Sequence, residues 1–139
     1  MSTLIQRTQA EALAAGFVEF LTTGHVPDGL FAADVFLDLT LPTWRLQTRG
    51  VAELVGVRTS SHPALGEVVV SRMNPTDTGF VLEFQERWQR DGQSWYCREL
   101  LRADVVDGLI AEAAVYCTGD WDEARQRAHR DAVTLLRPL

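Results

Sequence analysis

Residues 80–104, FVLEFQERWQRDGQSWYCRELLRAD, decide the architecture. Asp91-Gly92 at their centre is a two-residue loop signal, because a type I′ turn needs positive φ at both central positions and Asp-Gly tolerates it. Aromatic and aliphatic residues fill both flanks, so Phe80 to Gln89 and Ser94 to Asp104 should be antiparallel strands. A two-residue loop also fixes the register. Arg90 then faces Gln93, Trp88 faces Trp95, Glu86 faces Cys97, Phe84 faces Glu99, Leu82 faces Leu101 and Phe80 faces Ala103. That face is apolar apart from Glu86 and Glu99, and helices should cover it. The opposite face sets Val81, Glu83, Gln85 and Arg87 against Tyr96, Arg98, Leu100 and Arg102, a mixed and charged surface.

Downstream, Asp107-Gly108 marks another turn, into a strand from Leu109 to Cys117. Its expected pairs are Ala103 with Ala111, Leu101 with Ala113, Glu99 with Val115 and Cys97 with Cys117. Asp120-Trp121-Asp122-Glu123 has the D-x-x-E form of a capping box, so a helix should start there and run to about Val133. Upstream, Glu67 to Met73 is a β-branched strand closed by the turn cluster at 74–79.

The N-terminal segment reads as a helix capped by Ser2 or Thr3. Leu13, Phe17, Phe20 and Leu21 share a stripe, Glu11 and Glu19 lie off it, and Thr22-Thr23-Gly24 ends it. Asp28 to Ala33 suggests one or two helical turns capped by Asp28. Val35 to Leu41 alternates as a strand that Pro42 stops, and Trp44 to Thr48 is a short return strand. A helix from Val51 to about Val57 then gives way to a polar loop at 58–63. Helices gathered on one face of a largely antiparallel sheet make an α+β domain over residues 1–139, with no repeat or linker.

Composition agrees. The 139 residues are 46% hydrophobic and 23% charged, enough for a packed core and unlike a disordered chain. A net charge of −6 argues against a nucleic-acid partner, which calls for a basic face. No apolar run is long enough for a membrane span. The N-terminus lacks a basic region followed by an apolar one, so the expected location is cytoplasmic, with Cys97 and Cys117 reduced and acting as small apolar fillers. His25, His62 and His129 lie on different elements without ligand spacing, so neither a metal nor a cofactor is expected.

The chemistry concentrates on carboxylates. Glu86 and Glu99 are diagonal neighbours on the covered face. Either they are pocket acids, with pKa values raised by burial and by each other, or they sit at the open end of the sheet or pair with an Arg. Asp38 is either another pocket acid or a solvent-facing one. Trp88 opposite Trp95 is either a cross-strand structural pair or a ligand platform. Among the acids Glu99 leads, because it lies furthest from both strand ends. On the outer face Tyr96, Leu100 and Val81 among Arg98, Arg102 and Arg87 suit a homodimer interface.

The layout resembles the nuclear-transport-factor-2-like cone fold, and within it the SnoaL-like polyketide cyclases and the ketosteroid isomerases. The resemblance covers about residues 4–117. It rests on Thr22-Thr23-Gly24 ending the first helix, on residues 29–35, on Arg49-Gly50, and on Arg102 with Asp107-Gly108-Leu109-Ile110. It implies a curved mixed sheet wrapped around the N-terminal helices, an apolar pocket and a homodimer. In the isomerases Glu99 would match the protonated acid of the oxyanion hole. Phe17 stands where their catalytic tyrosine would be, and their general base would fall near Leu39, one residue from Asp38. The SnoaL-like catalytic aspartate would fall near Val115, where this chain has no acid. The limonene-epoxide-hydrolase pattern, an Arg flanked by acids on the pocket face, is missing.

The function this implies is cofactor-independent acid/base chemistry on an apolar carbonyl substrate, as in the polyketide cyclases and isomerases of antibiotic biosynthesis and other secondary metabolism. The catalytic candidates are Glu99, Glu86 and Asp38. The candidate substrate wall is Phe17, Phe20, Trp44, Phe84, Trp88, Trp95, Cys97, Leu101, Val115 and Cys117. A non-catalytic protein that binds or sequesters such a ligand is the alternative.

Overall fold

The computed structural model describes residues 6–62 and 64–138. In chain order the elements are α1 (Arg7–Thr23), β1 (Phe31–Leu41), β2 (Trp44–Arg49), α2 (Val51–Ser61), β3 (Glu67–Pro75), β4 (Gly79–Arg90), β5 (Gln93–Val106), β6 (Leu109–Cys117) and α3 (Glu123–Ala132). Six strands form one curved open sheet in the order β2-β1-β6-β5-β4-β3. Every neighbouring pair is antiparallel except β1 and β6. The expected α+β class with a mixed curved sheet is therefore the one found.

Asp91 and Gly92 have φ of 52° and 73°, as a type I′ turn requires. Every expected β4–β5 pair is present, from Arg90 with Gln93 to Phe80 with Ala103. The covered face packs on α1, which buries Ala10, Leu13, Ala14, Phe17, Phe20 and Leu21. Phe17 meets Phe20, Phe31 and Phe84 edge-on, with centroids 6.1–6.4 Å apart, the arrangement that ring quadrupoles favour. Gly24 ends α1 in the left-handed conformation at φ 77°. The proposed caps Ser2 and Thr3 lie outside the described residues. No helix among the described residues is long and apolar enough to cross a membrane.

Five local expectations need correction. Residues 28–30 form a turn and β1 begins at Phe31, because Ile110 N–H donates to Leu30 O at 2.8 Å and pairing with β6 overrides the local helix signal. The polar residues 58–61 continue α2 instead of forming a loop. Ser60 and Ser61 fold their hydroxyls back onto the carbonyls of Gly56 and Val57, which removes the cost of polar side chains there. The cap of α3 is Asp122, which accepts from Arg125 N–H at 2.8 Å, and not Asp120.

The β5–β6 register is displaced by two residues. Ala103 meets Ala113, Leu101 meets Val115 and Glu99 meets Cys117, so Cys97 and Cys117 are diagonal rather than opposite. One residue comes from the turn at Asp107-Gly108, which pairs Val106 with Leu109, and the other from an irregularity between Asp104 and Val105. The Val105 N–H turns away to Thr78 O at 2.8 Å, and the Thr78 hydroxyl donates to Asp104. A displacement of two keeps every side chain on its expected face. Finally, Tyr96 does not stand free on the outer face, because Trp121 pairs with it through the backbone and lies 5.3 Å from its ring.

Candidate active site

A cavity of about 370 Å³ opens between the covered face of the sheet, α1 and α2. Phe17 and Phe20 come from α1, Leu37 and Leu39 from β1, Leu54 and Val57 from α2, and Val115 from β6. Such a wall excludes water, so each polar group in it costs free energy unless partnered. The polar lining includes Arg58, His62, Glu86, Cys97, Glu99 and Cys117, with exposed Thr43, Trp44, Ser61 and Asp120 at its edge. Trp44 is 69% exposed.

Arg58 organises the charges. From the last turns of α2 it donates to both oxygens of Glu86, NH2 to Oε1 at 2.6 Å and NH1 to Oε2 at 3.0 Å. Its NH2 also donates to Leu21 O at 3.0 Å, which ties α2 to the end of α1. Both side chains are nearly enclosed, at 14% and 4% exposure, so each depends on the other for its charge. Burial opposes the charge on Glu86 most strongly. The hydrogen bond with Glu99, the fork from Arg58 and the guanidinium charge outweigh it and hold the Glu86 carboxyl below its ordinary value.

Glu99 goes the other way. Burial in the cavity wall, then the hydrogen bond and negative charge of Glu86, push its carboxyl well above the usual carboxylate range. The two adjacent acids are thus pushed in opposite directions, and the Arg58 fork decides which of them favours the anion.

Cys97 and Cys117 flank Glu99. Cys97 Sγ donates to Glu99 Oε1 at 3.0 Å, with Cys117 close beside it. Cys117 first, then burial and the nearby Glu99, push the Cys97 thiol up. Cys117 is lowered, first by Cys97 and, against the effect of burial, by the Gly119 N–H that donates to its sulfur at 3.3 Å. His62, just past α2, lies 4.0 Å from the Trp88 ring. Burial and the Arg58 charge lower its pKa, so the imidazole is neutral at pH 7. Both of its ring nitrogens are buried and outside hydrogen-bond geometry to any described residue, although the Ala64 backbone lies close enough to favour its protonated form slightly.

Of the candidates read from the sequence, Glu99, Glu86, Phe17, Phe20, Trp44, Cys97, Val115 and Cys117 line this cavity. Asp38 does not. It lies outside, held by Arg45 through Nε at 2.9 Å and NH2 at 2.6 Å, and those hydrogen bonds keep its carboxyl below the ordinary value. Phe84 and Leu101 are core residues with no exposed surface. Trp88 and Trp95 stack with centroids 6.4 Å apart beside a separate groove near Gly66, as a cross-strand pair. An Arg does reach the pocket acids, as one of the alternatives for Glu86 and Glu99 has it, and it comes from α2 rather than from the sheet. Arg58 and His62 were missed because both fall in a stretch that reads as loop, and 28 residues separate Arg58 from Glu86.

No protein-family profile matches the chain, and no curated protein does. Solved structures do match. An LEH-like epoxide hydrolase from M. tuberculosis aligns at TM-score 0.63 and 15% identity, over 79% of this chain and 83% of that one. An NTF2-like protein from Anabaena variabilis aligns at TM-score 0.63 and 19% identity, over 81% of this chain and 89% of the other. A protein with a ketosteroid isomerase-like fold from Catenulispora acidiphila, in complex with trimethylamine, aligns at TM-score 0.62 and 12% identity, over 75% and 83%. At these identities the likeness gives the fold, which is nuclear-transport-factor-2-like.

Proposed function

We propose that this protein is an enzyme that uses Glu99 as a proton donor to an oxygen of an apolar, carbonyl-bearing substrate, in a cyclisation or isomerisation of the polyketide-cyclase type. The observation that carries this reading is a pair of neighbouring carboxyls in an apolar cavity, one forked by Arg58 and the other buried without a counter-charge of its own, so that the first is pushed toward the anion and the second toward the acid. A protonated carboxyl can donate to a carbonyl oxygen as negative charge develops there, and low polarity strengthens that bond. Glu86, forked by Arg58, keeps the proton on Glu99. His62 is the base we assign, because a neutral imidazole with no internal partner is free to take a proton from carbon. The chemistry is acid/base, carried by side chains alone.

The competing reading is a ligand-binding protein. It is favoured by the apolar character of Phe17 and Val115, which bring no polar group to positions where related enzymes place catalytic ones. The fold neighbours include both an epoxide hydrolase and a protein described only by its fold and its amine ligand, so neither reading is privileged by them. The partner we propose for the chain is a second copy of itself in the cytoplasm.

The test is solvent deuterium exchange at the α-carbon of apolar cyclic ketones and β-diketones, followed by NMR. Catalysed exchange in the wild type, lost in Glu99→Gln while ligand affinity stays within about tenfold (about 1.4 kcal/mol), supports the enzyme. Saturable binding with no exchange in either protein supports the binding reading.

A further inference from the structure

The chain has two cysteines, and the fold brings both to the same acid. Glu99 pairs with Cys117 across β5 and β6, and Cys97 lies two residues before Glu99 on the same face. Ligand atoms of Cys97, Glu99 and Cys117 all lie within 4.8 Å of one another. A second triplet under the same limit, His62, Glu86 and Cys97, meets the first at Cys97. Glu86 is engaged by Arg58, whereas both ring nitrogens of His62 are buried and unpartnered among the described residues.

We propose that Cys97, Cys117 and Glu99 form a binding site for a thiophilic divalent cation of the zinc class, with His62, which the structure groups with Cys97 but not with Glu99 or Cys117, turning in as the fourth donor. Two sulfurs with an imidazole and one carboxylate match zinc and cadmium, whereas magnesium and calcium require an oxygen shell. Donors bound to one zinc ion at about 2.0–2.3 Å stand roughly 3.3–3.8 Å apart in a tetrahedron, so the three need only small side-chain adjustments. The Gly119 N–H already donates to Cys117 Sγ, the kind of outer contact that steadies a thiolate ligand. The cavity supplies the entry path, and Asp120 at its edge adds negative charge. Arg58 opposes an incoming cation, but its charge is matched by Glu86.

On binding, the cation takes a lone pair from each donor, and the protons of the two thiols and of the Glu99 carboxyl leave to solvent. No electron is transferred. The cation occupies the Glu99 carboxyl that the proposed reaction uses, so the loaded protein cannot present that carboxyl to a substrate. This site goes beyond the acid/base reading: it makes a thiophilic cation an inhibitor of that chemistry.

The full-length protein, kept reduced and stripped with a chelator, is titrated with Cd²⁺ and followed by ultraviolet absorbance. The expected result is a thiolate-to-cadmium charge-transfer band that saturates at one ion per chain and is displaced by Zn²⁺. Both cysteines should be shielded from a thiol reagent when the site is filled. Cys97→Ser and Cys117→Ser should each lose the band, and His62→Gln should weaken binding at least tenfold, with near-ultraviolet circular dichroism confirming that each variant is folded. Absence of the band in the wild type overturns the proposal even if a variant fails to fold, as does a band that survives in both serine variants. An unchanged affinity in His62→Gln overturns the fourth donor. The readout is a spectrum, so its failure leaves the acid/base reading intact, and absent turnover in the stripped protein leaves the cation site intact.

Discussion

Glu86 and Glu99 are diagonal neighbours across the β4–β5 ladder, neither being the other's register partner: Glu86 stands opposite Cys97, and Glu99 opposite Phe84. The diagonal step brings two carboxyls together in a place with little water, and the fork from Arg58 breaks their equivalence. Glu86 is pushed toward the anion and Glu99 toward the acid by a residue of α2 whose remaining hydrogen bond goes to Leu21 O.

Removing that fork should therefore destabilise the whole fold. Arg58→Met leaves Glu86 buried without its counter-charge, a loss of about 3–5 kcal/mol at neutral pH. Glu86 has a depressed pKa in the folded state, so its contribution is present above its ordinary value of 4.5 and lost as pH falls through the folded value. The deficit of the variant should shrink on acidification, and Arg58→Met with Glu86→Gln should recover part of it. Urea denaturation at two pH values measures both effects.

Glu99 has the opposite sign. Its folded pKa is raised, so its stabilising contribution is complete below the ordinary carboxyl value of 4.5 and disappears as pH rises through the folded value. Between those two values the native protein holds a proton that the unfolded chain has released. Wild-type melting temperature should fall with rising pH across that window, and Glu99→Gln should flatten the slope. Thermal melts from acidic to alkaline pH check it, and equal slopes would contradict the assignment.

On the outer face, Leu100 and Tyr116 sit directly opposite each other and remain exposed, at 41% and 55%. Arg98 with Glu83, and Arg102 with Glu112, form ion pairs around them. An apolar centre with a charged rim suits a twofold contact. Sedimentation at micromolar concentration should give a homodimer for the wild type and a monomer for Leu100→Glu. A wild-type monomer would remove this surface as an interface.

The parts of the fold that were legible in the sequence are those governed by local chemistry. Asp91-Gly92 determined a whole register because two positive φ values permit one tight turn, and the acids of the cavity followed from that register. The β5–β6 pairing was not legible, because its irregularity depends on Val105 donating to Thr78, a residue on another turn. Asp38 alternates correctly along β1, yet its surroundings depend on Arg45 across the hairpin. Arg58, Ser60 and Ser61 look like loop residues until Glu86 and the carbonyls behind them supply partners. What sequence spacing could not show is therefore what long-range partners decide; that Cys97 and Cys117 lie close was legible, and their diagonal rather than opposed placement was not.

The central claim is that Glu99 is a neutral acid inside the cavity at physiological pH. Infrared difference spectroscopy of wild type against Glu99→Gln tests it without a substrate. At pH 7 the wild type should show the C=O stretch of a protonated carboxyl, absent from the variant and lost only as pH is raised. A difference spectrum at pH 7 containing only carboxylate bands would contradict it.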